Sequence, residues 1–142
     1  PRPKKHSIFE YPINPIILAT RGDPSWPKLV IYGHYDVQPP DPLNLWTSKP
    51  FEAEERNGRL YGRGAADNKG PQIVHMVALH RALKKNPDLR LHITYLIEGE
   101  EEIGIPSFRG FLEGHKESLA GDLLLVSDTG SPGTKQLAVN TG

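Results

Sequence analysis

Cysteine is absent from this 142-residue chain. That removes disulfides and thiolate ligands, so any metal must be held by nitrogen and oxygen. A cysteine-free chain suits the cytoplasm, and a cytoplasmic location is the expectation. Charge of one sign is not in excess either: 17 Lys and Arg balance 17 Asp and Glu. No basic field points to nucleic acid, and no polybasic segment points to a membrane surface. No apolar run is long enough to span a bilayer. There is no internal repeat and no low-complexity segment. What remains is enough chain for one ordinary domain with its own core. Pro1 stands where an initiator Met would be expected, and Val139-Asn140-Thr141-Gly142 reads as the end of a strand. A processed or trimmed piece of a longer chain is therefore expected.

The apolar pattern places the elements. Pro1 to Lys5 is polar and expected to fray. Pro15 to Thr20 carries a short apolar run between Pro and Gly, a strand by pattern, and Asp23-Pro24-Ser25-Trp26-Pro27 reads as a turn. Lys28 to Gly33 is nearly all apolar, as in a strand buried on both faces. Gln38 to Asn57 is a long Pro-rich connection, and Gly58 to Tyr61 looks like part of a short hairpin. A glycine-rich loop, Gly62 to Gly70, leads into a helix with Pro71 in its first turn, where proline fits. Ile73, Met76, Val77 and Leu83 give this helix a broad apolar face, and Asn86-Pro87 should stop it. Leu91 to Ile97 is the next strand, Pro106 to Ser118 a weaker helix, and Asp122 to Ser127 a further buried strand. Strands alternating with helices imply an α/β sheet, mostly parallel at its centre.

In open α/β sheets ligands bind beyond the carboxyl ends of the strands. Here each buried strand is followed by acidic or imidazole groups. His34 and Asp36 follow the first, Glu98 to Glu102 the second, and Asp128 the third, while Asp67 sits in the glycine-rich loop. On an extended chain, side chains at i and i+2 share a face. His34 could thus bind a metal while Asp36 bonds its other ring nitrogen. If the strands are parallel, all these groups converge on one rim. Such a His-plus-carboxylate set suits Zn²⁺ or Mn²⁺.

Each piece also has an ordinary reading. A His near a strand end can be purely structural, Glu100-Glu101-Glu102 a solvated loop, and Asp128 a turn residue before Thr129-Gly130. Gly62-Arg63-Gly64 lacks the Gly-Lys-Ser/Thr of a phosphate loop. His75 and His80, five apart on a helix, share no face, His92 lies within a strand, and His6 and His115 have no carboxylate partner at ligand spacing; all five read as structural or solvent-facing. Recurrence at every strand end is what favours the joint functional reading.

His34-Tyr35-Asp36-Val37-Gln38-Pro39, Tyr61-Gly62-Arg63-Gly64 with Asp67-Asn68-Lys69-Gly70-Pro71, and Glu98-Gly99-Glu100-Glu101-Glu102-Ile103-Gly104 resemble the M20 family of dinuclear metallopeptidases. Trp46-Thr47-Ser48-Lys49-Pro50-Phe51 and Val126-Ser127-Asp128 are most similar to its carnosinase-like dipeptidase branch. The similarity spans roughly residues 12 to 142. It implies a three-layer α/β sandwich around a mostly parallel sheet, of the zinc-peptidase kind and incomplete here.

The same resemblance implies two divalent metal ions, Zn²⁺ foremost with Mn²⁺ or Co²⁺ as alternatives. Asp67 would bridge them, with a cis peptide to Asn68; His34 and Asp128 would complete one metal, and Glu102 would serve the other. Glu101 would be the general base and Asp36 would orient His34. The residues alone do not divide Glu101 from Glu102, because neighbours on an extended chain point opposite ways. The implied reaction is hydrolysis of a dipeptide or short peptide. An N-acyl-amino-acid deacylase of the same family and a non-catalytic metal-binding fragment are the alternatives. Family members are longer, with a cap domain that often mediates homodimerisation and a late His ligand that no residue here matches. Residues 1–142 would thus be part of a catalytic domain, and the chain alone is expected to be inactive or nearly so.

Overall fold

A computed structural model describes residues 14–130. The expected frayed start at Pro1 to Lys5, His6, and the strand-like end at Val139 to Gly142 lie outside the described residues.

Two apolar strands form the centre. β2 (Lys28–His34) and β5 (His92–Glu98) run parallel, pairing Lys28 with His92 and His34 with Glu98. β1 (Ile17–Arg21) joins the outer edge of β5 antiparallel, and β6 (Leu123–Val126) joins β2 parallel, giving the order β1-β5-β2-β6. The mixed, mostly parallel sheet follows the expectation.

Alternation along β2 and β5 sends side chains to two faces. On one, Ile31, Ile93, Tyr95 and Ile97 form the core, with Leu79 of helix α1 (Gly70–Lys85) packed against it. On the other, Tyr32 meets Phe108, the first residue of helix α2 (Phe108–Gly114), with ring centroids 6.0 Å apart. Helix, sheet and helix thus make the layers.

Among the described residues, three details depart from the sequence pattern. α1 is turned so that Gln72, not Ile73, faces the sheet: Gln72 is 6% exposed while Ile73 is 57% exposed, with Val74, Met76 and Val77 also open. A helix apolar on several sides leaves its rotation undetermined by pattern. The hydrogen bonds from Gln72 Nε2 to the His34 carbonyl and from the Tyr95 hydroxyl to the Gln72 carbonyl select this one. β6 was expected to be buried but is exposed at all four residues, pairing among the described residues with β2 alone. The weaker helix is broken into α2 and a single turn, α3 (Lys116–Leu119), at His115, whose φ of −124° and ψ of 18° leave the helical region. Gly114 just before it has low helix propensity.

The Pro-rich connection folds back on itself. β3 (Glu54–Arg56) and β4 (Arg59–Tyr61) form a hairpin across Asn57-Gly58, both with positive φ as a tight primed turn requires. Trp46 Nε1 donates to the Pro40 carbonyl at 2.7 Å, the Arg63 amide to Pro50 at 2.7 Å, and the Arg63 guanidinium to Pro39 at 3.1 Å. The two Arg63 bonds fasten the connection to the loop carrying Asp67. Gly64 in that loop has φ of 83°, and a Cβ there would lie 2.7 Å from Val37. Only glycine accommodates both the conformation and the close approach.

Candidate metal centre

His34 ends β2 completely buried, and its two ring nitrogens face different carboxylates. Nδ1 lies 3.1 Å from Asp36 Oδ1, while Nε2 lies 3.0 Å from Asp67 Oδ1 and 3.4 Å from Asp128 Oδ1. The parallel sheet explains the convergence: β2 and β6 end on the same rim, and the loop before α1 crosses it. The Asp67–Asn68 peptide is cis, as expected.

The third acidic segment is placed by a turn. Beyond β5, Glu101–Ile103 form a short 3-10 helix, which reorients Glu101 and Glu102 away from strict strand alternation. Asp36 Oδ2 accepts the Glu102 amide at 2.9 Å, and Gln38 Nε2 donates to Glu102 Oε2 at 2.7 Å. Glu100 is buried and accepts the Ser107 amide at 2.8 Å, the Ser107 hydroxyl and the Phe108 amide, which closes the turn onto α2. Burial alone would raise its pKa, but those donors outweigh it and hold the carboxyl below its usual range. Glu98 is also fully buried; it accepts from the Tyr32 hydroxyl at 2.8 Å and the Glu100 amide at 2.6 Å. Burial pushes its carboxyl up despite those bonds.

His34, Asp67 and Glu102 offer ligand atoms within 4.8 Å of one another, and so do His34, Glu101 and Asp128. Both glutamates therefore stand within ligand reach of His34, one beside Asp67 and the other beside Asp128. The electrostatics are one-sided. Burial would lower the His34 pKa, yet Asp128, Asp36 and Asp67 together outweigh it and leave it raised. Burial, then the charges of Asp128, Glu102 and Asp67, raise Glu101 although His34 opposes them. With Nδ1–H donated to Asp36, the lone pair at Nε2 would face two carboxylate oxygens. That arrangement needs positive charge between them, as a proton or a cation. One imidazole among carboxylates, with no sulfur, is a donor set that fits divalent Zn²⁺ or Mn²⁺.

The peptidase family M20/M25/M40 model matches residues 30–142. The chain belongs to this family. M20 membership implies divalent metal ions, in keeping with the donor set. Human Beta-Ala-His dipeptidase is 41% identical over 122 residues, 82% of this chain and 24% of that protein. Succinyl-diaminopimelate desuccinylase of Xylella fastidiosa strain M12 is 44% identical over 84 residues, 59% of this chain and 22% of that protein. Among solved structures, the M20 family metallo-carboxypeptidase Sso-CP2 from Sulfolobus solfataricus superposes with a TM-score of 0.76 at 38% identity, covering 82% of this chain and 26% of that one. The resemblance to the carnosinase-like branch is borne out, and the chain spans about a quarter of the length of these M20 relatives.

The sequence reading missed the groups behind the M20 motifs. Asn68, Gln72 and His75 each bond the end of a strand that carries a candidate ligand, and Glu100 anchors the glutamate turn. His80 and His115 are exposed, and His92 Nδ1 lies 3.1 Å from the Gly22 carbonyl. His75 is half-buried, with Nε2 2.8 Å from Ser127 Oγ. Its distance from the strand end in sequence concealed that contact.

Proposed function

We propose that this chain is the N-terminal part of the catalytic domain of a metal-dependent dipeptidase of the carnosinase-like type. The rest of that domain, a late His ligand and a cap or dimerisation domain would come from sequence outside residues 1–142, so the 142-residue chain alone would be inactive. The observation that carries the reading is the division of His34, with Nδ1 on Asp36 and Nε2 aimed between Asp67 and Asp128. Similarity to human Beta-Ala-His dipeptidase supports the substrate class.

His34, Asp67, Glu102 and Asp128 would hold two divalent ions, Zn²⁺ first and Mn²⁺ or Co²⁺ as alternatives. Bound there, the ions would polarise the peptide carbonyl and acidify a water. Asp36 keeps His34 in the tautomer with its proton on Nδ1, leaving Nε2 free to act as a ligand. Glu101 accepts a proton from the attacking water as the carbon–oxygen bond forms. It returns that proton to the leaving nitrogen as the carbon–nitrogen bond breaks. Its raised pKa suits a group that must both take and give a proton. We place the enzyme in the cytoplasm, acting on small peptides as a homodimer, without nucleic acid or membrane.

Similarity to the Xylella desuccinylase supports a second reading, a deacylase of the same chemistry acting on an N-acyl amino acid. One experiment addresses both. The full-length protein is stripped with a chelator, reloaded with Zn²⁺, Mn²⁺ or Co²⁺, and assayed on dipeptides and N-succinyl amino acids. The dipeptidase reading expects activity lost on stripping, restored on reloading, and greater on dipeptides. Preference for the acyl substrates would replace it with the deacylase, and turnover indifferent to stripping would remove both.

A further inference from the structure

His34 and Asp128 sit on strands that are held very differently. β2 lies between two neighbours and is buried at its carboxyl end. β6 is paired on one side only among the described residues, and its four residues are 37% to 63% exposed. Asp128 lies beyond the end of β6.

The segment that opens α1 supplies the missing constraint. Asn68, 2% exposed, donates from Nδ2 to Asp128 Oδ1 at 2.7 Å and to the Ser127 carbonyl at 2.8 Å. Both amide protons are thereby used, one on the candidate ligand and one on the backbone preceding it. Seven residues along, His75 Nε2 lies 2.8 Å from Ser127 Oγ. On the other side, Gln72 Nε2 donates to the His34 carbonyl, and the Gln72 carbonyl accepts the Tyr95 hydroxyl at 3.0 Å. One short stretch of chain thus grips the ends of both strands.

We propose that Asn68, backed by His75, is a positioning residue that fixes Asp128 at ligand distance from His34, with Gln72 fixing the opposite arm. The start of α1 then sets the spacing of the metal centre. An amide is suited to the position. It donates to a carboxylate that must stay unprotonated to bind a cation, whereas an Asp in its place would repel it. The inference rests on the two-metal reading above.

The test uses the full-length protein stripped of metal. Zn²⁺ affinity and stoichiometry are measured by competition with a chromogenic chelator, and the melting temperature of the metal-free form is recorded. Wild type should bind two ions. Asn68→Ala should weaken one of them by about 10- to 100-fold, with the metal-free melting temperature little changed. Unchanged affinity at both sites in folded Asn68→Ala overturns the proposal. Should that variant melt early, His75→Phe decides the matter: several-fold weaker binding of one ion with wild-type melting supports the proposal, and unchanged binding overturns it. Wild-type protein that binds no Zn²⁺ removes the metal-centre reading and this inference together. Wild type and both variants binding two ions equally well removes the inference alone.

Discussion

Asp36 Oδ1 lies 3.1 Å from His34 Nδ1, and the same carboxylate reaches across with Oδ2 to the Glu102 amide at 2.9 Å. One acid therefore ties the end of β2 to the turn beyond β5. Asp36→Ala should free both the imidazole and the glutamate turn, lowering Zn²⁺ affinity of the full-length protein by about 10- to 100-fold. Asp36→Asn should fall between. Its carbonyl can still accept Nδ1–H, but its amide cannot accept from Glu102. Chelator competition on the three proteins checks the order: equal loss in both variants would mean that the His34 bond contributes nothing, and wild-type affinity in Asp36→Asn would mean that the Glu102 bond contributes nothing.

Glu101 and Glu102 both stand within ligand reach of His34 but are assigned different work. Glu101→Gln should lower turnover by about 10²- to 10⁴-fold while two ions remain bound. Glu102→Gln should instead lower the metal content measured on the purified protein. Retention of metal by Glu102→Gln together with its loss from Glu101→Gln would exchange the two roles.

The fold was legible where one physical signal dominated. Continuous apolar runs marked β2 and β5, Asn86-Pro87 ended α1, and acidic groups recurring past the strands marked the rim. The motif residues of the candidate site were legible because their chemistry is local in sequence. The polar groups behind them were not. Asn68 meets Asp128 across 60 residues and Gln72 meets His34 across 38, and no spacing rule relates such pairs before the topology is known. The exposure of β6 was hidden for a related reason. Leu123 to Val126 reads as buried whatever covers it, since composition records the demand for burial and not its fulfilment.

His75 should make stability depend on pH in one direction. Burial lowers its pKa below 6.5, and its Nδ1 is buried without a partner among the described residues. The unfolded chain then binds the proton more tightly than the folded one. The contribution of the neutral ring is fully present above pH 6.5 and is lost as the pH falls toward the folded pKa. His34, with a raised pKa, contributes with the opposite sign, so the comparison must be between proteins. The melting temperature of metal-free wild type should fall more steeply than that of His75→Phe as the pH drops through this range. Parallel curves would show that His75 does not titrate differently on folding.

Gly33 precedes His34 at the point where α1 comes nearest to β2. A Cβ there would lie 2.6 Å from Gln72 Cγ, 2.9 Å from Gln72 Cδ and 3.1 Å from Asn68 Oδ1. Those atoms belong to the side chains that hold His34 and Asp128, so a methyl group would displace the clamp and not merely crowd a core. Gly33→Ala should cost about 1–3 kcal/mol by overpacking, and should weaken metal binding as the Gln72 bond to the His34 carbonyl is pushed aside. The cause can be separated from any backbone effect with Gln72→Ala, which opens room for the new methyl but gives up the amide bond. If the collision with Gln72 is the source, Gly33→Ala combined with Gln72→Ala should be clearly less destabilised than the sum of the two single changes, since contacting residues couple. Melting temperatures of the four metal-free proteins provide the cycle. Simple additivity would place the cost of Gly33→Ala in the strand itself, and would leave Gln72 as a bystander to the packing at His34.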